Sequence, residues 1–126
     1  MVNWLCYPTG EQPDMWAQWH KQQNASVKGR HATAVRFLTA GHWKRPHFKS
    51  LQGKALQGLG EICIHGEVEW RLIGYRDAQK DTYTIVMICN HKGHVYQPAD
   101  ALATAARRWK EMQNGVQGIK LSVHPS

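Results

Sequence analysis

A change of hydrophobic period near residue 60 constrains the fold of this chain more than any other feature. Downstream, "EICIHG", "VEWRLIGYR" and "TYTIVMICN" are rich in Ile, Val, Tyr and Trp and alternate, as half-buried strands do. The second and third flank the polar turn "DAQKD", and the link between the first and second is as short. Parallel strands need a crossover of a dozen or more residues, so links this short predict an antiparallel meander. Successive strand side chains point to opposite faces. Val68, Trp70 and Leu72 are therefore expected on one face, and Glu69, Arg71, Ile73 and Tyr75 on the other. A fourth short strand, about Gly93 to Tyr96, can pair back on the third.

Upstream, the pattern is helical. A short strand candidate at Trp4–Tyr7 is followed by Pro8, Gly10 and Pro13, which punctuate the chain. A first helix is expected from about Pro13 to Gln23, with Trp16 and Trp19 sharing a core-facing side. Asn24 interrupts the pattern, and Ser26 is expected to cap a second helix carrying Val27, Ala34, Val35 and Leu38 on one face. Gly41 is its expected stop. Pro98 and Asp100 open a last helix to about Gln113, with an apolar stripe of Leu102, Ala105, Ala106, Trp109 and Met112. The tail "VQGIKLSVHPS" reads either as an edge strand or as disorder. The expected fold class is α+β: an N-terminal helical hairpin packed on a twisted antiparallel β-sheet, followed by a C-terminal helix. A single domain over residues 1–126, with its core at about 13–113, suits a chain of 126 residues.

Composition narrows the setting. No apolar run approaches the roughly 20 residues that span a bilayer, and the first residues do not read as a signal peptide, so no membrane partner is expected. Three cysteines lack the density of a disulfide framework, which predicts reduced thiols and a cytoplasmic location. Lys and Arg number 16 against 9 acids, a net charge of +7, which favours a polyanionic partner: nucleic acid or an acidic protein. The stretch "GHWKRPHFKSLQGKALQGLG" reads as a loop. It holds Lys44, Arg45, Lys49 and Lys54, interleaved with Trp43 and Phe48, and no acid. It is either a solvated connector or a wall that faces phosphates.

The chemistry concentrates in "MICNHKGHVYQP", with His91, Lys92, His94 and Tyr96. A metal site, an acid/base site and a solvated turn compete for it. Cys63-x-His65 and Cys89-x-His91 are not at zinc-knuckle spacing, so no metal is expected. The phosphate-loop, dinucleotide and nucleophile-elbow motifs are missing, and no cofactor is expected. Cleaving RNA through its own 2′-hydroxyl needs a base, an acid and cations around the phosphate. Histidine, lysine, tyrosine and arginine supply all three. Arg71 is expected to grip the phosphate, and one of His91, Lys92 and His94 to act as base. Tyr96, or Tyr75 on the Arg71 face, is the expected acid or base-stacking ring.

The order of these segments resembles the RelE/HigB superfamily of bacterial toxins, and most of all its phage-derived HigB-like branch. Lys49, Leu51 and Gly53 match a first element of that branch, and Gly58, Leu59, Glu61 and Ile62 a second. Arg71 matches the strand arginine, Lys92 the first loop lysine and Pro98 the start of the last helix. Asn90 stands where the branch often has an aromatic residue, and Gly93 replaces a second lysine. The resemblance implies a RelE-like fold. It implies a type II toxin that cleaves mRNA, usually on the ribosome, without a metal. It also implies a cognate antitoxin, often a helix-turn-helix protein, as partner. The competing expectation is a non-catalytic basic nucleic-acid-binding or protein-interaction module of a mobile element.

Overall fold

The structure, a computed structural model, describes residues 2–9, 14–115 and 119–120. Its strands are β1 (Asn3–Cys6), β2 (Phe48–Ser50), β3 (Leu59–Ile64), β4 (Glu69–Asp77), β5 (Thr82–Lys92), β6 (Val95–Gln97) and β7 (Ile119–Lys120). The helices are α1 (Met15–Lys21), α2 (Ala25–Thr39) and α3 (Ala101–Gln113), with a 3₁₀ turn at Lys54–Leu56. The described strands form one sheet in the order β2-β3-β4-β5-β1-β7, and β6 also pairs with β5.

The β3-β4-β5 meander is antiparallel, as the alternation and short links predict. β6 returns on the end of β5, pairing His91 with Tyr96 and Lys92 with Val95. Two features differ from expectation. β1 lies parallel to β5, from Asn3 opposite Thr82 to Cys6 opposite Ile85, so the sheet is mixed. The parallel direction is open to β1 because both helices of the hairpin lie in the connection that follows it. β2 lies inside the stretch read as a loop: three residues are too short to declare a period, and Lys49 takes its place opposite Glu61. In the tail, Ile119–Lys120 pair with β1 as an edge strand, and the rest of the tail lies outside the described residues.

Helices cover both faces. α1 and α2 lie on the face of Trp4, Ile62, Leu72, Tyr83 and Ile85, and bury Trp16, Trp19, Val35 and Leu38 there. α3 lies on the other face and buries Ala101 and Ala105 against Leu59, Ile73 and Val86. Asp14 caps α1 by accepting from the Ala17 amide at 2.9 Å, and the expected start at Pro13 lies outside the described residues. α2 begins earlier than expected: Asn24, not Ser26, is its cap and accepts from the Val27 amide at 2.9 Å. Both residue types cap equally well, so type alone does not choose between them.

On the hairpin face Gly60 sits opposite Gly74, beside the buried rings of Phe48 and Tyr83. Tyr83 donates from its hydroxyl to the Leu72 carbonyl at 2.7 Å. Between Ile73 and Gly74 the β4–β5 register shifts, leaving Val86 as an extra residue on β5. Arg108 of α3 donates to the Val86 carbonyl at 2.8 Å. No helix among the described residues is long and apolar enough to cross a membrane.

Candidate functional site

The α3 face carries a polar cluster at the β6 end of the sheet. Its centre is Glu61, a fully buried acid on a strand whose every residue is buried. Tyr96 donates its hydroxyl to Glu61 Oε2 at 2.8 Å. Arg71 Nε and Lys49 Nζ each lie 3.6 Å from Glu61 Oε1. Cross-strand register brings them together. Lys49 is opposite Glu61, and Arg71 is opposite Cys63 on one side and Cys89 on the other. A buried carboxylate is costly unless paired, and here two cations and a phenol supply the pairing.

Arg71 continues the network outward. It donates to the Trp70 carbonyl at 3.0 Å and to Glu69 Oε1 at 3.3 Å. Glu69 also accepts from the Gly66 amide at 2.9 Å and lies 2.8 Å from His65 Nδ1. Partial burial raises the Glu69 pKa, but the Gly66 amide and then His65 and Arg71 outweigh it and hold the carboxyl below its ordinary value. His65 Nε2 lies 2.9 Å from the Pro46 carbonyl, which ties the β3–β4 turn to the turn before β2.

His91 stands opposite Glu69 and Tyr96, its ring edge-on to Tyr96 at 4.8 Å between centroids. Burial, followed by the Arg71 charge, lowers its pKa, so the ring is neutral at pH 7. Burial and the bond to Glu61 push the Tyr96 phenol above its ordinary value, so it keeps its proton. The outer members reach solvent: the Lys49 side chain is 42% exposed and that of His65 47%.

The structure thus brings Arg71, His91, Tyr96 and Lys49 together, and separates the rest. The faces assigned to Trp70, Leu72, Ile73 and Tyr75 are those observed. Lys92 follows His91 on the strand, so alternation sends it to the opposite face, with Val95. His94 is an exposed residue of the β5–β6 turn. Tyr75 lies four residues along β4 from Arg71, about 13 Å at strand rise. It stacks on Trp109 at 4.2 Å, as a packing ring. Lys54 sits on the 3₁₀ turn beside α3, near Trp109 and Lys110. Lys44 and Arg45 line a groove with Phe37 and His47 at the end of α2.

Arg71 is the main revision. A phosphate-gripping guanidinium needs open donors, but this side chain is 10% exposed and engages Glu61, Glu69 and a carbonyl. Glu61, Glu69 and His65 also belong to the site, whereas the sequence marks Glu61 only as part of the family-like motif, Glu69 only as sharing the Arg71 face and His65 only in a spacing unsuited to zinc. The available signal was an acid between Leu59 and Ile62 on an otherwise apolar strand, a placement that demands a buried partner. Among the described residues no three His, Cys, Asp or Glu side chains are grouped to hold a metal ion. Burial raises the Cys63 thiol to about 11 and the Cys89 thiol to about 12, so both stay protonated beside the cluster. Comparisons with family models, curated proteins and solved structures give no match to this chain.

Proposed function

We propose that the chain is a metal-independent endoribonuclease, the toxin of a type II toxin–antitoxin pair that cleaves message on the ribosome. The observation that carries this reading is the meeting of a neutral histidine, a protonated phenol and a solvent-reaching lysine over one buried carboxylate. His91 takes the proton of the RNA 2′-hydroxyl, whose oxygen then attacks the adjacent phosphorus. The P–O5′ bond breaks and a 2′,3′-cyclic phosphate forms. Tyr96 protonates the departing 5′ oxygen, which requires its hydroxyl to leave Glu61. Lys49 faces the phosphate. Arg71 acts through Glu61 and Glu69, holding their charge in place, and is a positioning residue. The basic surface draws an acidic antitoxin, a helix-turn-helix protein in the family that the sequence resembles, over the same face.

One observation favours a second reading. A guanidinium shared between two carboxylates has the form of a structural ion network, which fits a non-catalytic RNA-binding or interaction module of a mobile element. Induction of the chain in a bacterium separates the two. The first prediction is growth arrest with message cleavage that persists in a chelator when tested with purified protein. His91→Ala, which removes no buried charge, should reduce cleavage by about 10² to 10⁴ while the fold is retained. Normal growth and intact message at high expression of the parent chain would leave the second reading.

A further inference from the structure

Phe37 is the one aromatic residue among the large exposed apolar side chains described, at 47% exposure. One side of its ring stacks on His47, at 4.7 Å between centroids and 21° between planes, and His42 meets it edge-on at 6.1 Å. Lys44, Arg45 and Pro46 complete the same groove. Among the described residues neither Lys44 nor Arg45 is paired with a carboxylate. From Met15 to Gly60 the chain carries no Asp or Glu at all.

The groove is also held in shape. The His42 amide donates to the Phe37 carbonyl at 2.9 Å, and the His47 amide to the Lys44 carbonyl at 3.1 Å. The Cys63 amide donates to the His47 carbonyl at 2.9 Å, which ties the turn to β3. Burial, then the neighbouring His65, lowers the His47 pKa, so at neutral pH this ring is an uncharged plane beneath Phe37. An exposed apolar ring beside two unpaired cations suits a ligand with a flat π-surface and flanking negative charges. A nucleobase with its phosphates is that ligand. Bases in a duplex are already stacked and offer no free face.

We propose that Phe37, His47, Lys44 and Arg45 form a subsite for single-stranded RNA, with a base stacked on the open side of Phe37 and adjacent phosphates against Lys44 and Arg45. It rests on the RNA-directed reading of the chain and lies outside the cluster around Glu61. The two are joined by a short rim: the Pro46 carbonyl contacts His65, His65 contacts Glu69, and Glu69 contacts Arg71. A strand crossing that rim reaches from one site to the other.

The test is fluorescence anisotropy of the full chain with a labelled single-stranded RNA of about a dozen nucleotides. A duplex RNA of equal length and a polyglutamate peptide serve as comparison probes. The expected result is preference for the single strand and a loss of about tenfold on Phe37→Leu, with little change in the salt slope. Phe37→Trp should restore binding. The double variant Lys44→Ala, Arg45→Ala should lower the salt slope by about 1.4, two phosphate contacts on a single strand. Parent-like single-strand affinity in Phe37→Leu overturns the subsite, as does equal binding of duplex, or binding in which only polyglutamate responds to Phe37. Message cleavage by the parent with Phe37-independent binding sinks the subsite alone. Phe37-dependent binding without cleavage sinks the catalytic reading alone.

Discussion

His31 shows how much one side chain can decide. It is fully buried on α2, against Trp16, Trp19 and His20, and the Trp16 indole donates to its Nε2 at 3.0 Å. That bond requires an unprotonated Nε2. Burial, then the neighbouring His20, lowers the pKa from 6.5 to about 3. The folded state therefore prefers the neutral ring, and the unfolded state binds the extra proton between these values. Stability from this group is complete above pH 6.5, declines as the pH falls through that window and levels off below about 3. At 1.36 kcal/mol per unit the upper bound is about 5 kcal/mol. Urea unfolding should show the decline, and His31→Leu should flatten part of it. His20, His47 and His91, whose pKa values are also lowered, leave a residual slope in both proteins. Identical slopes for the two proteins would refute the assignment.

Among the elements, a glycine of the meander and the glycine of α2 make opposite predictions. A Cβ on Gly74 would lie 2.2 Å from the Thr84 carbonyl oxygen and 2.8 Å from Tyr83 Cζ. The backbone cannot step aside without opening the β4–β5 ladder, so Gly74→Ala should cost about 3 kcal/mol and lower the thermal midpoint. Gly29 lies in the interior of α2, and a methyl group added to it would meet nothing within 4 Å, so Gly29→Ala should gain about 1 kcal/mol. Calorimetry of the pair checks both signs. These elements also mark what the sequence makes legible. Alternation over nine residues fixes which face Arg71 and Tyr75 occupy, and the helical spacing of Val27, Ala34, Val35 and Leu38 marks the core-facing side of α2, on which the buried His31 was not foreseen. Partners across strands are a different matter. That Arg71 meets Glu61 depends on Cys63 standing opposite Arg71, a register no local pattern states. The same limit hid β2, and with it the position of Lys49. The separation of His91 from Lys92, by contrast, follows from alternation once β5 is known to run through both.

For the whole molecule, the position of β1 is decisive. It fills the edge of β5 from Thr82 to Ile85 and carries Trp4 into the hairpin-side core, edge-on to Trp16 and Tyr83. A chain without residues 2–9 would expose that edge and an apolar gap beside it. Unpaired edges of this kind recruit other chains, so the shortened protein should elute as multimers or precipitate, where the full chain stays discrete in size-exclusion chromatography. A monomeric, cooperatively melting truncation would count against this.

The same parallel pairing sets the timetable of synthesis against the order of the sheet. The ribosome makes β1 first, yet Asn3 has no partner on β5 until Thr82 has emerged. Until then Trp4 and its neighbours travel without their sheet, while the helical hairpin can already form behind them. Closure then waits on a contact nearly eighty residues apart in the chain, the kind that slows folding because the loop entropy precedes the gain. A cell that made this protein quickly would carry a population of nascent chains with their first strand still unclaimed.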